Sequence, residues 1–398
     1  MKILFFTNEY SHEKLPDCGG VGTFLKVLAE ALVKKGHQVY IFGFSRKKMQ
    51  FSDRNIHFYF IKKYSKGHFL MELIRSLGSK LNSDLLQLFF LKKERKYLAK
   101  KLKEYASKNK IDVIESFVFS GYTAYYDNST PLVLRFHGSR AFWHYYLGQK
   151  KEPLKILMEQ KALEQASKIV AVSKFSAKAI TEMYSVDTHK VIYNGIDTKL
   201  FSPNSSVETI DQSIFYFGTL SDAKGVNTLA KIFNEVIKLY PEASLHLIGK
   251  GTGYWKYLQE TILSTDAKKQ TFYYGAKQLN ELPELLNKSK LVCLPTNGET
   301  FGLAFVEAMA LEKIVIANNI PVAKEIIEHQ KNGFIANNES DFLKYISYAF
   351  DNPVEVQKIG IKAREHSVSN FSYEKMVTET LNLYNELIKF ENDTKRTK

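Results

Sequence analysis

Short apolar runs alternate with longer stretches of helical periodicity along this chain, and the alternation occurs twice. Lys2–Thr7 reads as a buried strand, Gly19-Gly20-Val21-Gly22 as a tight loop, and Thr23–Lys35 as a helix whose inner face holds Leu25, Leu28, Ala29 and Leu32. Gly36 ends that helix ahead of a second strand, Gln38–Phe44. Further strands are predicted at His57–Ile61, Val113–Ser116, Leu132–Phe136, Ile169–Val172 and Val191–Tyr193, with a long lysine-rich helical region over Phe69–Ala106. Phe201–Ser213 is polar and contains Pro203-Asn204-Ser205-Ser206, which predicts an interdomain linker at 201–213. Beyond it the pattern restarts, with strands at Ile214–Phe217, Ser244–Ile248, Thr271–Tyr274, Leu291–Leu294 and Ile314–Ala317. Continuous apolar strands separated by helices are the signature of parallel sheets covered on both faces, so the fold class is α/β with two halves.

A length of 398 residues accommodates two domains, each with its own core. The N-terminus MKILFFTNEY resembles a signal peptide only superficially. Its apolar run is Ile3 to Phe6 and polar Thr7-Asn8-Glu9 follows, so a first buried strand is the better reading. No apolar run approaches the ~20 residues that a membrane span needs. Cys18 and Cys293 stand in different halves, which argues against a disulfide framework and for a cytosolic protein. Charge is uneven: residues 1–200 hold 34 Lys and Arg against 18 Asp and Glu, a balance of +16, so the whole excess of the +14 chain lies in the first half.

The candidate chemistry is densest at Leu291–Leu311. A short buried strand ends at Pro295, Asn297-Gly298-Glu299-Thr300 supplies turn residues, and Phe301-Gly302-Leu303 enters a helix. The first amides of a helix have no intrahelical partner and its dipole favours negative charge, so Gly302 and Leu303 could hold a phosphate. Glu299 and Glu307 flank that position, and carboxylates accept hydrogen bonds from sugar hydroxyls. The loop Gly19–Thr23 follows the first strand and opens a helix, where a doubly wound fold binds phosphate, though such a turn is also often structural. His137-Gly138 ends an apolar strand at the edge where these folds keep their sites, with Arg135 and Arg140 nearby; a lone histidine is more often structural. No D-x-D pair and no His/Cys cluster with metal spacing occurs, so no metal site is expected.

These segments resemble, in order along the chain, glycosyltransferase family 4, the retaining nucleotide-sugar transferases of GT-B fold. Glu299 to Glu307 fits the family's E-x7-E spacing, with Phe301-Gly302-Leu303 between and Ala308-Met309-Ala310 after. The resemblance implies two Rossmann-like domains facing across a cleft: 1–200 for the acceptor, 214–372 for the nucleotide sugar, and a last helix, about 373–398, returning to the first. It places Gly20 and Gly22 near the donor diphosphate and reacting sugar, and His137 beside the anomeric carbon. Val191–Asp197 resembles the family's turn before the linker, with Asn194 a minor site candidate. Phe217-Gly218-Thr219-Leu220…Lys224-Gly225 resembles an element in which an arginine and a lysine neutralise the leaving diphosphate; Lys224 matches, but Thr219 occupies the arginine position. Ile248–Gly251 and Tyr274-Gly275 resemble glycine turns that border the base, and equally fit plain strand-helix turns. Asn319–Glu325 keeps Glu325 but lacks the family's two glycines.

The expectation is a metal-independent, anomer-retaining transferase with no cofactor. Its catalytic residues are His137, Lys224 and Glu299, and its substrate-binding residues are Gly20, Gly22, Thr219, Phe301, Gly302, Leu303 and Glu307. The donor is a UDP- or GDP-linked sugar and the acceptor a glycan or lipid-linked molecule of bacterial-type surface polysaccharide or lipopolysaccharide biosynthesis. Nucleic acid is not an expected partner, because no recognition module accompanies the lysines. The expected place is cytoplasmic, docked on an anionic membrane through the basic half, where Leu85–Leu91 runs into Lys92-Lys93-Glu94-Arg95-Lys96; the alternative makes that apolar run internal core. A degenerate GT-B protein that binds without turnover is the rival reading.

Overall fold

The computed structural model describes residues 1–16, 19–67, 69–81 and 83–396. The chain divides into two compact units, Met1–Asn194 together with the C-terminal segment from Glu374, and Gly195–Tyr373.

The first unit is built on an eight-stranded sheet. Its strands are β1 (Lys2–Phe6), β2 (Gln38–Ser45), β3 (Met49–Asp53), β4 (Ile56–Lys62), β5 (Val113–Phe117), β6 (Leu132–Phe136), β7 (Lys168–Ala171) and β8 (Lys190–Val191), in the order β3-β4-β2-β1-β5-β6-β7-β8. Every pairing is parallel except β3 with β4. That hairpin escaped the sequence reading because its turn, Arg54-Asn55, has both residues at positive φ (47° and 62°) without a glycine to announce it. The first helix is Gly20–Lys34, so Gly20 and Gly22 lie in its first turn and not in a separate loop. The expected helical region Phe69–Ala106 is two helices, Phe69–Lys80 and Asp84–Asn109.

Helix Tyr373–Arg396 is fixed to this first sheet by a buried polar cluster. The Arg135 guanidinium on β6 donates to Glu115 Oε1 at 2.7 Å and to Thr380 Oγ1 at 3.0 Å, and the Tyr384 hydroxyl donates to Glu115 Oε2 at 2.6 Å. A charge with no access to water survives only when paired, so Glu115 and Arg135 specify where the last helix lies. Arg135 is therefore a structural residue.

The second unit carries a six-stranded parallel sheet: β9 (Ser213–Phe217), β10 (Ser244–Ile248), β11 (Thr271–Tyr273), β12 (Leu291–Leu294), β13 (Ile314–Asn318) and β14 (Phe334–Ala336), ordered β11-β10-β9-β12-β13-β14. β14 has three residues, too few for a periodic signal. The order changes direction between β9 and β12, the position where open α/β sheets form a crevice at the carboxyl ends of their strands. Residues 201–213 pack within this unit: Phe201 is buried, the Asn204 amide donates to Asn287 Oδ1, and the Ile210 amide donates to the Lys288 carbonyl. Gly195 has a different role from a turn glycine, since a Cβ there would stand 2.5 Å from the Tyr373 Cα where Ile196 pairs with Ser372. Cys293 is a buried free thiol on β12, and Cys18 lies outside the described residues.

Candidate active site

In the second unit the loops following β9 and β12 are tied together at the point where the strand order reverses. Lys224 ends a single 3-10 turn, Asp222–Lys224, and Gly225 follows at φ +71°. A Cβ on Gly225 would lie 1.8 Å from the Pro295 carbonyl oxygen, so only glycine lets the lysine loop rest against the end of β12. Asn297 completes the joint: its amide donates to the Ala223 carbonyl at 3.1 Å and its side chain to the Asp222 carbonyl at 3.1 Å. Sequence reading had assigned Asn297 only turn chemistry. The signal was present, but its partner lies in a loop far along the chain.

This joint sets the Lys224 ammonium against the Glu299 carboxylate in a salt bridge, with side chains 36% and 25% exposed. Both charges thus remain within reach of a ligand. Leu303–Ala310 follows as a helix preceded by Gly302 at φ +87°, and among the described residues no side chain caps it. Gly302 and Leu303 are half-buried, while Glu307 is enclosed. Burial pushes its carboxyl up to about 7, because a carboxylate withdrawn from water is costly. The expected substrate residue Phe301 turns inward: its ring is buried and meets Phe371 at 5.5 Å, which leaves its side chain a core role.

Thr219 is exposed at the same sheet edge, and its carbonyl accepts from the Tyr216 hydroxyl at 2.9 Å. The glycine turns after β9 and β10 are packed backbone to backbone. A Cβ on Gly249 would be 1.7 Å from the Gly218 carbonyl oxygen, and the Gly218 amide donates to the Ile248 carbonyl at 2.9 Å. The segment that lacks two expected glycines is bridged by asparagines instead, with Asn319 Nδ2 donating to Asn337 Oδ1 at 2.6 Å. Glu325 is half-buried in helix Pro321–Ile326.

In the first unit His137 follows β6 directly, and its ring lies 4.4 Å from that of Phe24 and 5.4 Å from that of Phe117. Burial, reinforced by the Arg135 cation, holds its pKa well below the ordinary 6.5, so the ring is neutral at neutral pH. Phe24 lies on the helix that begins with exposed Gly20 and buried Gly22, which brings these three expected residues to one carboxyl edge of the sheet. Arg140 instead pairs with Glu152 at 2.8 Å and covers the Phe119 ring at 4.4 Å. Asn194 is buried, with its Oδ1 lacking a hydrogen-bond partner. Among the described residues no group of three or more His, Cys, Asp or Glu could hold a metal ion, and no helix is long and apolar enough to cross a membrane.

Comparison with known proteins gives matches along nearly the whole chain. A model described as glycosyl transferases group 1 matches residues 199–366, and one described as glycosyltransferase family 4 matches residues 18–200. An uncharacterized glycosyltransferase of Methanocaldococcus jannaschii is 24% identical over 410 residues, spanning 96% of this chain and 98% of its own. Sucrose-phosphate synthase from Thermosynechococcus elongatus superposes with a TM-score of 0.77 at 16% identity, covering 97% of this chain and 98% of that one. The Anabaena Alr3699/HepE structure, in complex with UDP and glucose, superposes with a TM-score of 0.73 at 19% identity, covering 97% of this chain and all (100%) of the other.

Proposed function

The chain belongs to the group 1 glycosyltransferases of family 4 and has their GT-B fold, and from that premise we propose that it moves a sugar from a nucleotide-sugar donor with retention of anomeric configuration. The observation that carries this reading is the joint of Lys224 with Glu299 at the reversal of strand order in the second unit. A departing diphosphate needs cationic and dipolar stabilisation fixed before the reaction begins. Lys224 supplies the charge, and the Gly302 and Leu303 amides supply the helix end. Glu299 orients hydroxyls of the sugar and Glu307 those of the ribose.

His137 stays neutral, so it acts as a hydrogen-bonding group toward the reacting sugar and adds no charge beside a developing cation. Gly20 and Gly22 open the first helix next to that position. Thr219 contributes a hydroxyl where the family resemblance implies an arginine, which leaves Lys224 the main cation for the leaving group. The departing phosphate helps to take the acceptor's proton, and no protein nucleophile, cofactor or metal ion takes part.

The donor is a uridine or guanosine diphosphate sugar; the UDP and glucose held by the Anabaena protein support the uridine choice. The acceptor is a glycan or lipid-linked molecule of surface polysaccharide or lipopolysaccharide assembly at the cytoplasmic face of a membrane, toward which the +16 balance of residues 1–200 would draw the protein. A thermal-shift screen of nucleotide sugars tests the donor, because a ligand that binds only the native state raises its stability by mass action. One sugar nucleotide should stand out from its isomers; equal, negligible shifts across the panel would count against the reading.

A further inference from the structure

The two helices Phe69–Lys80 and Asp84–Asn109 display apolar side chains that the fold does not cover. Phe69 is 86% exposed and Leu85 81%, and Leu70, Leu73, Leu77, Leu81 and Phe89 are also exposed. Spacings of three and four place Leu70, Leu73 and Leu77 along one face of the first helix, and Leu85 with Phe89 along one face of the second. A cluster of exposed large apolar side chains of this kind marks a contact with a partner or a membrane.

The pair is a constructed element whose orientation is set from inside. Gly78 allows the helices to touch, since a Cβ there would already lie 3.1 Å from Leu86 Cβ, and the Gln87 side chain donates to the Gly78 carbonyl at 3.1 Å. Farther along the second helix, buried Phe90, Leu98, Ala99 and Leu102 join the core. The buried Arg95 guanidinium locks its rotation by donating to the Gly121 carbonyl at 3.1 Å and to the Ser120 carbonyl at 2.9 Å. Within the apolar run Leu85–Leu91, Phe90 turns inward, while Leu85 and Phe89 turn to the solvent.

Charge identifies the occupant. Residues 62–110 contain 14 Lys and Arg against 4 Asp and Glu. On the Leu85–Phe89 face the next turns bring exposed Lys92, Lys93 and Lys96, with the Lys93 ammonium 5.5 Å from the centre of the Phe89 ring. A second copy would set this cationic face against itself, which like charge opposes. An anionic leaflet instead receives the apolar stripe at the acyl boundary and the ammonium groups among the phosphates.

We infer that the helix pair Phe69–Lys80 and Asp84–Asn109 is the surface by which the chain docks on an anionic lipid leaflet, an inference that rests on, and deepens, the proposed reading of an acceptor met at a membrane. Leu85 and Phe89 insert, and Lys92 and Lys93 hold the headgroups.

Co-sedimentation of the full chain with phosphatidylcholine vesicles, with and without phosphatidylglycerol, tests it at low salt. The expected result is binding to the anionic vesicles only, reduced roughly 30-fold in Lys92→Gln/Lys93→Gln, as loss of two cations requires, and at least as much in the double variant Leu85→Ser/Phe89→Ser, which loses the inserted apolar area. Donor-induced thermal shifts should be unchanged in all variants, which separates lost docking from lost folding. Anionic binding that survives Leu85→Ser/Phe89→Ser overturns this assignment and leaves membrane docking in place. Binding to neither vesicle, or equal binding to both, overturns docking itself, while a retained donor shift preserves the transferase reading. A lipid-free dimer that dissociates in Leu85→Ser/Phe89→Ser would give the surface to a second copy and also overturn it.

Discussion

Lys224 and Glu299, 75 residues apart in the chain, form a salt bridge where the loops after β9 and β12 meet. Neither residue is fully buried, so the pair is not the sort that a core needs for charge balance. Its effect is on position: each group holds the other where a diphosphate and a sugar would separate them. On the proposed reading, phosphate binding would replace the carboxylate partner of Lys224 with a more highly charged one and release Glu299 to accept from hydroxyls.

Replacing either member should damage turnover more than donor affinity. Lys224→Ala and Glu299→Ala should each lower kcat by roughly 10²-fold, the usual cost of one preorganised electrostatic group. Steady-state kinetics with the true donor and acceptor checks this, and wild-type rates in both variants would show that the site has been misplaced.

Glu307 should make donor binding depend on pH. Its carboxyl is raised by burial from 4.5 to about 7, so the native state binds a proton that the unfolded chain has already lost between those values. Stability therefore falls as pH rises from 4.5 toward 7, by about 3 kcal/mol at roughly 1.4 kcal/mol per unit. The ionised form is the better acceptor for ribose hydroxyls, so donor affinity should rise between pH 6 and pH 8. Glu307→Gln should abolish that rise, weaken nucleotide binding and stabilise the unliganded protein at pH 8. Calorimetric titration across the range decides the matter.

The Arg135–Glu115 pair should govern stability and not chemistry. Arg135→Met leaves the Glu115 carboxylate buried beside Tyr384 with no cation, a loss of roughly 3–5 kcal/mol. Thermal denaturation should show a marked drop in Tm, while donor affinity in the second unit remains at its wild-type value.

Chelation is the simplest test of the charge source. In the proposed mechanism the charge facing the diphosphate comes from Lys224 and a helix end, so turnover should persist in EDTA. Reversible loss of activity, restored by magnesium or manganese, would show that a cation enters with the substrate.

The sequence made the parallel strands legible because burial on both faces writes them as unbroken apolar runs, such as Leu291–Leu294 and Ile314–Ala317. It also marked Glu299, Lys224 and Gly302, since each lies in a short motif next to such a strand. Features that depend on distant partners were hidden. Asn297 closes on a loop that residue spacing cannot connect to it, and Phe301 has the polar surroundings of a site residue although its ring packs against Phe371. Gly225 and Gly249 lie in motifs that the sequence marks, but only the backbones pressing on them reveal why no larger residue fits. In the helix pair, periodicity identified an apolar face without saying which side of it the core would take.

The central claim is turnover of a sugar nucleotide with retention, and the anomeric configuration of the product measures it most directly. The donor singled out by thermal shift is incubated with the protein and an acceptor, and proton NMR follows the new glycosidic linkage. An α-linked donor should yield an α-linked product, formed roughly 10²-fold more slowly by Lys224→Ala. A β-linked product would contradict the mechanism, and a donor that binds yet is never consumed by any acceptor would make the chain a binding protein that has kept the fold of a transferase.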